Sequence, residues 1–217
     1  MNACVSCARR SICNEAMAFR SGSLVALIFL VALAVSAGTC SAARPEPYGG
    51  KNLNFIRSSC GATQYPSLCF SSLSAYASTI QRSPVQLAQA ALSVSLTGAR
   101  TTAATITKLL KGSGAAVGAR EAEAMNDCLE NMGNSVEELR DSLKEMGHLK
   151  GKDLRLRVND MQTWVSSALT DENTCMEGLP TTASMKVGVR GTIRGEIVKA
   201  VQLTSNALSL INGLSGV

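Results

Sequence analysis

One histidine among 217 residues leaves little room for chemistry built on imidazole. It argues against His-based metal sites and against most catalytic triads. Aromatics, at 4%, are too scarce for most β-sandwiches, and only five prolines interrupt a chain rich in Ala, Leu and Ser. That balance favours helices. The sequence has no G-x-S-x-G and no pair of histidines to hold a metal. The neighbouring acids Glu121/Glu123 and Glu137/Glu138 would point apart on a helix, so neither pair converges on one substrate. Hydrophobic residues still make up 46%, too many for a disordered chain. We therefore expect one helical domain that is not an enzyme and takes no cofactor and no metal.

Long apolar runs are also lacking, with one exception. Leu24 to Val35 (LVALIFLVALAV) is unbroken, follows Arg9, Arg10 and Arg20, and precedes small residues. Twelve residues are short for a membrane span and suit a signal-peptide core. Residues 1–43 are expected to be a signal peptide, with Met17 as an alternative start, and residues 44–51, rich in Pro and Gly, a linker. Cysteine parity bears on the cleavage point. Cutting after Ala42 or Ala43 removes Cys4, Cys7, Cys13 and Cys40 and leaves four cysteines. Cutting after Ala37 would leave Cys40 as an odd thiol in an oxidising compartment. The expected product is secreted and has no membrane span. It carries 18 basic against 15 acidic residues, net +3, which is no signal for nucleic acid.

What remains reads as an all-α chain, a short clamped hairpin over 52–82 followed by four long helices over 83–213. Eight residues separate Cys60 from Cys69, and Pro66 between them opens a new helix. Ser83-Pro84 is a helix start with proline in the first turn. Leu92, Leu96, Ala99, Ala103, Ile106 and Leu110 then recur at spacings of three and four, up to Gly112 and Gly114. The second stripe is Ala122, Met125, Leu129, Met132, Val136, Leu139, Leu143 and Met146, closed by Gly147-His148. The third is Leu154, Val158, Met161, Val165 and Ala168, ending at Gly178. The fourth runs from about Ala183 through Val189, Ile193, Ile197, Ala200, Thr204, Leu208 and Ile211. Four amphipathic helices with short connections should pack up-down-up-down. Met125, Met132, Met146 and Met161 fall on these stripes as core filler.

Four cysteines permit three pairings. Proximity favours Cys60–Cys69 and Cys128–Cys175. The second bridge would tie adjacent antiparallel helices and close a loop worth about 4 kcal/mol. Two basic groups, Lys150/Lys152/Arg155/Arg157 and Lys186/Arg190/Arg194, are candidate carboxylate holders and, more simply, solvated faces. His148 sits at a helix end, where a cation complements the dipole. A lipid-carrying bundle is a rival reading that saturable fatty-acid binding would reveal.

Several segments carry a family resemblance. Ile56 to Cys60 (IRSSC), Thr63 to Pro66 (TQYP) and Cys69 resemble the N-terminal hairpin of plant invertase and pectin methylesterase inhibitors. Ala124 to Met132 (AMNDCLENM) is similar to that family's second-helix motif. Thr163 to Thr170 (TWVSSALT) with Thr174 to Gly178 (TCMEG) is similar to its third, and Ser205 to Ile211 (SNALSLI) to its closing helix. The resemblance covers roughly residues 52–213. It implies a four-helix bundle with a disulfide-clamped hairpin, the two pairings already favoured, and a non-catalytic apoplastic inhibitor of a cell-wall carbohydrate enzyme. Trp164 belongs to the third motif and serves first as a structural marker.

The family has two branches. The invertase-directed branch resembles chains with Pro-Lys-Phe after the second helix, and Lys150 to Arg157 (KGKDLRLR) has none. The run from Met161 to Thr170 looks like the pectin methylesterase branch. The resemblance thus implies an inhibitor, monomeric when free, that covers the groove of pectin methylesterase in a one-to-one complex. The alternatives are an invertase inhibitor or a non-inhibitory wall protein. Spacing nominates Gln162, Ser166, Ser167 and Thr170 on the third helix as contacts. On the second it nominates Glu130, Asn131, Asn134, Glu137 and Glu138, which stand off the apolar stripe.

Overall fold

The computed structural model describes residues 49–113, 117–149, 153–180 and 187–216. The signal segment expected over 1–43, with Met17, lies outside them. So do most of the linker, Lys150, Lys152 and the stretch from Ala183 to Lys186. All regular structure among the described residues is helical.

The chain first forms a hairpin of short helices, α1 (Gly49–Cys60), α2 (Pro66–Leu73) and, after a 3₁₀ turn at Ser74–Tyr76, α3 (Ala77–Ile80). α1 begins at Gly49, three residues before the expected start of the hairpin. Pro66 opens α2, where its missing N–H costs nothing. The Cys60–Cys69 disulfide closes the turn between α1 and α2. Arg57 lays its guanidinium 4.0 Å from the centroid of the Phe70 ring. Asn52 Nδ2 donates to the Ala77 carbonyl at 3.1 Å, and Ile56, Leu73 and Ile80 are buried beneath. Gln81 and Arg82, at φ 55° and 151°, make the sharp joint to the bundle.

The bundle consists of α4 (Pro84–Ser113), α5 (Ala119–Met146), α6 (Leu154–Gly178) and α7 (Val187–Asn212), with a final 3₁₀ turn at Gly213–Gly216. Ser83 Oγ accepts from the Gln86 N–H at 3.3 Å and caps α4. Each helix packs on two neighbours in a closed ring, α4–α5–α6–α7–α4. Cross-helix bonds give the direction. Ser95 meets Thr204, and Thr102 donates to the Glu196 carbonyl at 3.2 Å, so residue numbers rise on α4 as they fall on α7. Cys128–Cys175 and Ser135–Glu172 show the same reversal between α5 and α6. This is the up-down-up-down arrangement. A Cβ on Gly98 would come 3.0 Å from Leu203 Cδ1, so a larger residue here would press on the Leu203 side chain between α4 and α7.

The structure turns the expected stripe of α5. Met125, Met132, Leu139 and Met146 are buried as read, but Cys128, Ser135 and Ser142 complete the innermost seam. Leu129, Val136 and Leu143 pack half-buried on its flank. Both registers alternate three and four. The disulfide decides between them, because Cys128 must face Cys175 on α6. No helix among the described residues is long and apolar enough to cross a membrane.

Candidate partner-binding surface

The Cys128–Cys175 bridge fastens α5 to α6 near one end of the pair, and the Arg157–Glu145 ion pair joins them near the other. This antiparallel register brings Glu138 of α5 against Ser167 and Asp171 of α6. On α5, Glu130, Asn134 and Glu137 are exposed on one face, with Asn131 and Glu138 half-buried beside them. On α6, Ser166, Ser167 and Thr170 are exposed.

Many of these side chains already have local partners. Asn131 Nδ2 donates to the Asp127 carbonyl at 2.9 Å, and Thr170 Oγ1 to the Ser166 carbonyl at 3.0 Å. Glu137 is paired with Arg140 one turn on, an exposed pair that adds little to stability. Gln162 is placed differently. Its Nε2 donates to Asn212 Oδ1 at 3.0 Å and to Ser215 Oγ at 3.1 Å, which holds it on the α7 flank of α6.

Burial pushes the Glu138 carboxyl above its ordinary value. A hydrogen bond with Ser167 works against that shift, and the Asp171 carboxyl adds to it by charge and by hydrogen bonding. Burial also raises Asp171, and its hydrogen bond with Glu138 offsets part of the effect. The two acids therefore act on one another across the α5/α6 pair. Sequence reading missed this pair because it compared acids along one helix, and these come from two.

Leu156 was missed as well. It is 62% exposed at the start of α6, on the same face as Thr163, Ser167 and Thr170, and it lies off the apolar stripe. That combination, an apolar residue out of register, was the available signal.

The expected basic cluster loses a member. Arg157 turns to Glu145, which leaves Arg155 as its exposed cation among the described residues. Arg190 and Arg194 line a hollow of about 350 Å³ with Leu179 and Pro180. His148 is exposed in the turn after α5, where its N–H bonds the Glu145 carbonyl at 2.9 Å. Trp164 is half-buried. Among the described residues no three His, Cys, Asp or Glu side chains are grouped to hold a metal ion. The α5/α6 surface is polar, partly acidic and rigidly backed. It suits docking of another macromolecule better than bond-making chemistry.

Comparison with known proteins points the same way. The sequence profile described as plant invertase/pectin methylesterase inhibitor matches residues 54–210. A protein from Arabidopsis thaliana named pectinesterase inhibitor 9 is 43% identical over 190 residues, which covers 85% of this chain and 92% of that protein. A 21 kDa protein from Daucus carota is 41% identical over 164 residues, 74% of this chain and 83% of its own length. Among solved structures, a mutant form of a pectin methylesterase inhibitor from Arabidopsis aligns with a TM-score of 0.59 at 18% identity. That alignment covers 72% of this chain and 95% of the other, and it is a likeness of fold.

Proposed function

Because the chain belongs to the plant invertase/pectin methylesterase inhibitor family, we propose that it is a secreted inhibitor of pectin methylesterase. In this reading residues 1–43 are removed on secretion, and the folded bundle acts in the cell wall. It binds the enzyme one-to-one and covers the substrate groove, so that pectin is kept out without any chemistry on the inhibitor. The observation that carries the target is the 43% identity to a named pectinesterase inhibitor over nearly all of that protein's length. The absence of Pro-Lys-Phe between α5 and α6 adds to it.

The α5/α6 face is the proposed docking surface. A stable interface needs about 800 Å² from each partner. Two adjacent helices of 28 and 25 residues offer a surface of that order. Glu130, Asn134 and Glu137 on α5, with Ser166, Ser167 and Thr170 on α6, form its polar part. Leu156 supplies an apolar anchor at one end. Family membership fixes the scaffold more firmly than the target.

The test is a titration of the mature chain against a plant pectin methylesterase and an acid invertase in parallel. Stoichiometric loss of esterase activity alone is the expected result. Loss of invertase activity alone would move the chain to the other branch. Ser166→Arg, which places a long charged side chain on the proposed contact face, should weaken esterase inhibition at least tenfold while circular dichroism stays unchanged. Full inhibition by that variant would move the interface elsewhere.

A further inference from the structure

The innermost layer of the bundle is polar at one level, and every helix contributes to it. Ser95 of α4, Ser135 of α5, Glu172 of α6 and Thr204 of α7 are each 0% exposed. Thr204 Oγ1 donates to Glu172 Oε1 at 2.8 Å, and Ser135 Oγ donates to the same oxygen at 2.9 Å. Since the Thr204 proton is used there, Ser95 Oγ is the donor in its 2.7 Å bond to Thr204. Both bonds to the carboxyl thus end on Oε1. Oε2 is buried and has no hydrogen-bond partner among the described residues.

Among the described residues no cation acts on this acid. The groups that act on Glu172 are the hydroxyls of Thr204 and Ser135 and the like charges of Asp171 beside it and Glu138 on α5. α4 and α7 bring the neutral hydroxyls of Ser95 and Thr204 to the layer. A buried carboxylate with one bare oxygen and acidic neighbours is far costlier than the neutral acid, for which one unmade hydrogen bond remains.

We propose that Glu172 is a proton-binding site in the core: the bundle folds around its neutral carboxylic acid, and loss of that proton loosens the four helices from inside. This goes beyond inhibition, because it belongs to the free protein and to side chains buried beneath the proposed contact face. Burial raises the Glu172 carboxyl to about 7 from the 4.5 of an ordinary glutamate, against the pull of the two hydroxyls. Its folded value lies above its unfolded one. The stabilisation is therefore complete below pH 4.5 and is lost as pH rises through 7. The protein is tightest in mildly acidic surroundings.

Urea unfolding of the free, disulfide-intact chain from pH 4.5 to 8 tests this. Relative to Glu172→Gln, which holds the neutral shape permanently, the wild-type unfolding constant should rise by a factor on the order of 100 across that range. A ratio between the two chains that does not change with pH overturns the proposal. If Glu172→Gln does not fold, Ser135→Ala serves instead. Removing a donor to the charged form should shift the wild-type fall to higher pH, and an unshifted fall counts against the proposal. Carbon-13 NMR of the side-chain carboxyls reads the proton directly. One glutamate should titrate near neutrality in the folded wild type, and its absence overturns the idea whatever the variants do.

Discussion

Asn206 ties the hairpin to the bundle with one side chain. Its Oδ1 accepts from the Tyr65 N–H at 3.0 Å, and its Nδ2 donates to the Tyr65 carbonyl at 3.0 Å. Ser205 adds a bond to Gln64 at 2.9 Å. Asn206 is 3% exposed, so truncation leaves the Tyr65 N–H without this partner, while the Tyr65 carbonyl keeps only its bond from the Cys69 N–H. Asn206→Ala should cost about 1–3 kcal/mol in urea unfolding. It should also speed amide exchange in α1 and α2 more than in α5. Sequence periodicity marks Asn206 only as a polar residue inside a helical motif. Its partner lies 141 residues away, and no local rule reaches that far.

At the scale of the element, the α5–α6 pair shows how little separates two readings of one stripe. Met125, Met132, Leu139 and Met146 satisfy both registers, and the disulfide selects the one that buries Cys128, Ser135 and Ser142. On α6 the alternation of three and four continues from Val158, Met161, Val165 and Ala168 straight to Glu172 and Cys175. The stripe read from the sequence ends at Ala168, because the next position in register carries the charged Glu172. The bridge closes a sequence separation of 47 residues. Replacing Cys128 and Cys175 together by Ala should lower stability by about 4 kcal/mol in chemical unfolding. The Cys60–Cys69 pair, with a separation of 9, should cost about 3 kcal/mol when replaced in the same way.

Across the whole molecule, three acids on the α5/α6 side share one sign of shift. Glu138, Asp171 and Glu172 are all raised, chiefly by burial. Each folded value exceeds its unfolded one, so each contributes stability in acid that disappears as pH rises through the folded value. Glu138 and Asp171 are partly open to solvent, and Glu172 accounts for most of the effect. The thermal midpoint should therefore fall between pH 5 and pH 7.5, and differential scanning calorimetry at low and high salt measures it. A midpoint that rises over this interval would contradict the assignment. High salt should leave most of the fall in place, because a buried group is poorly screened.

The order of elements was legible in the chain because it is a local property. A period near 3.6, proline at helix starts and glycine at helix ends act within a few residues of one another. They placed α4 at Pro84 and closed α5 at Met146 without reference to the rest of the fold. Cysteine spacing and four short motifs carried the family, since those residues serve the scaffold itself. What the tertiary structure alone decided was which polar groups meet. It set Glu138 against Asp171, gathered Ser95, Ser135, Glu172 and Thr204 into one buried layer, and drew Gln162 away to α7. Each of these depends on the rotation and register of one helix against another. The disulfide and the core packing fix that register, and periodicity along a single helix is blind to it.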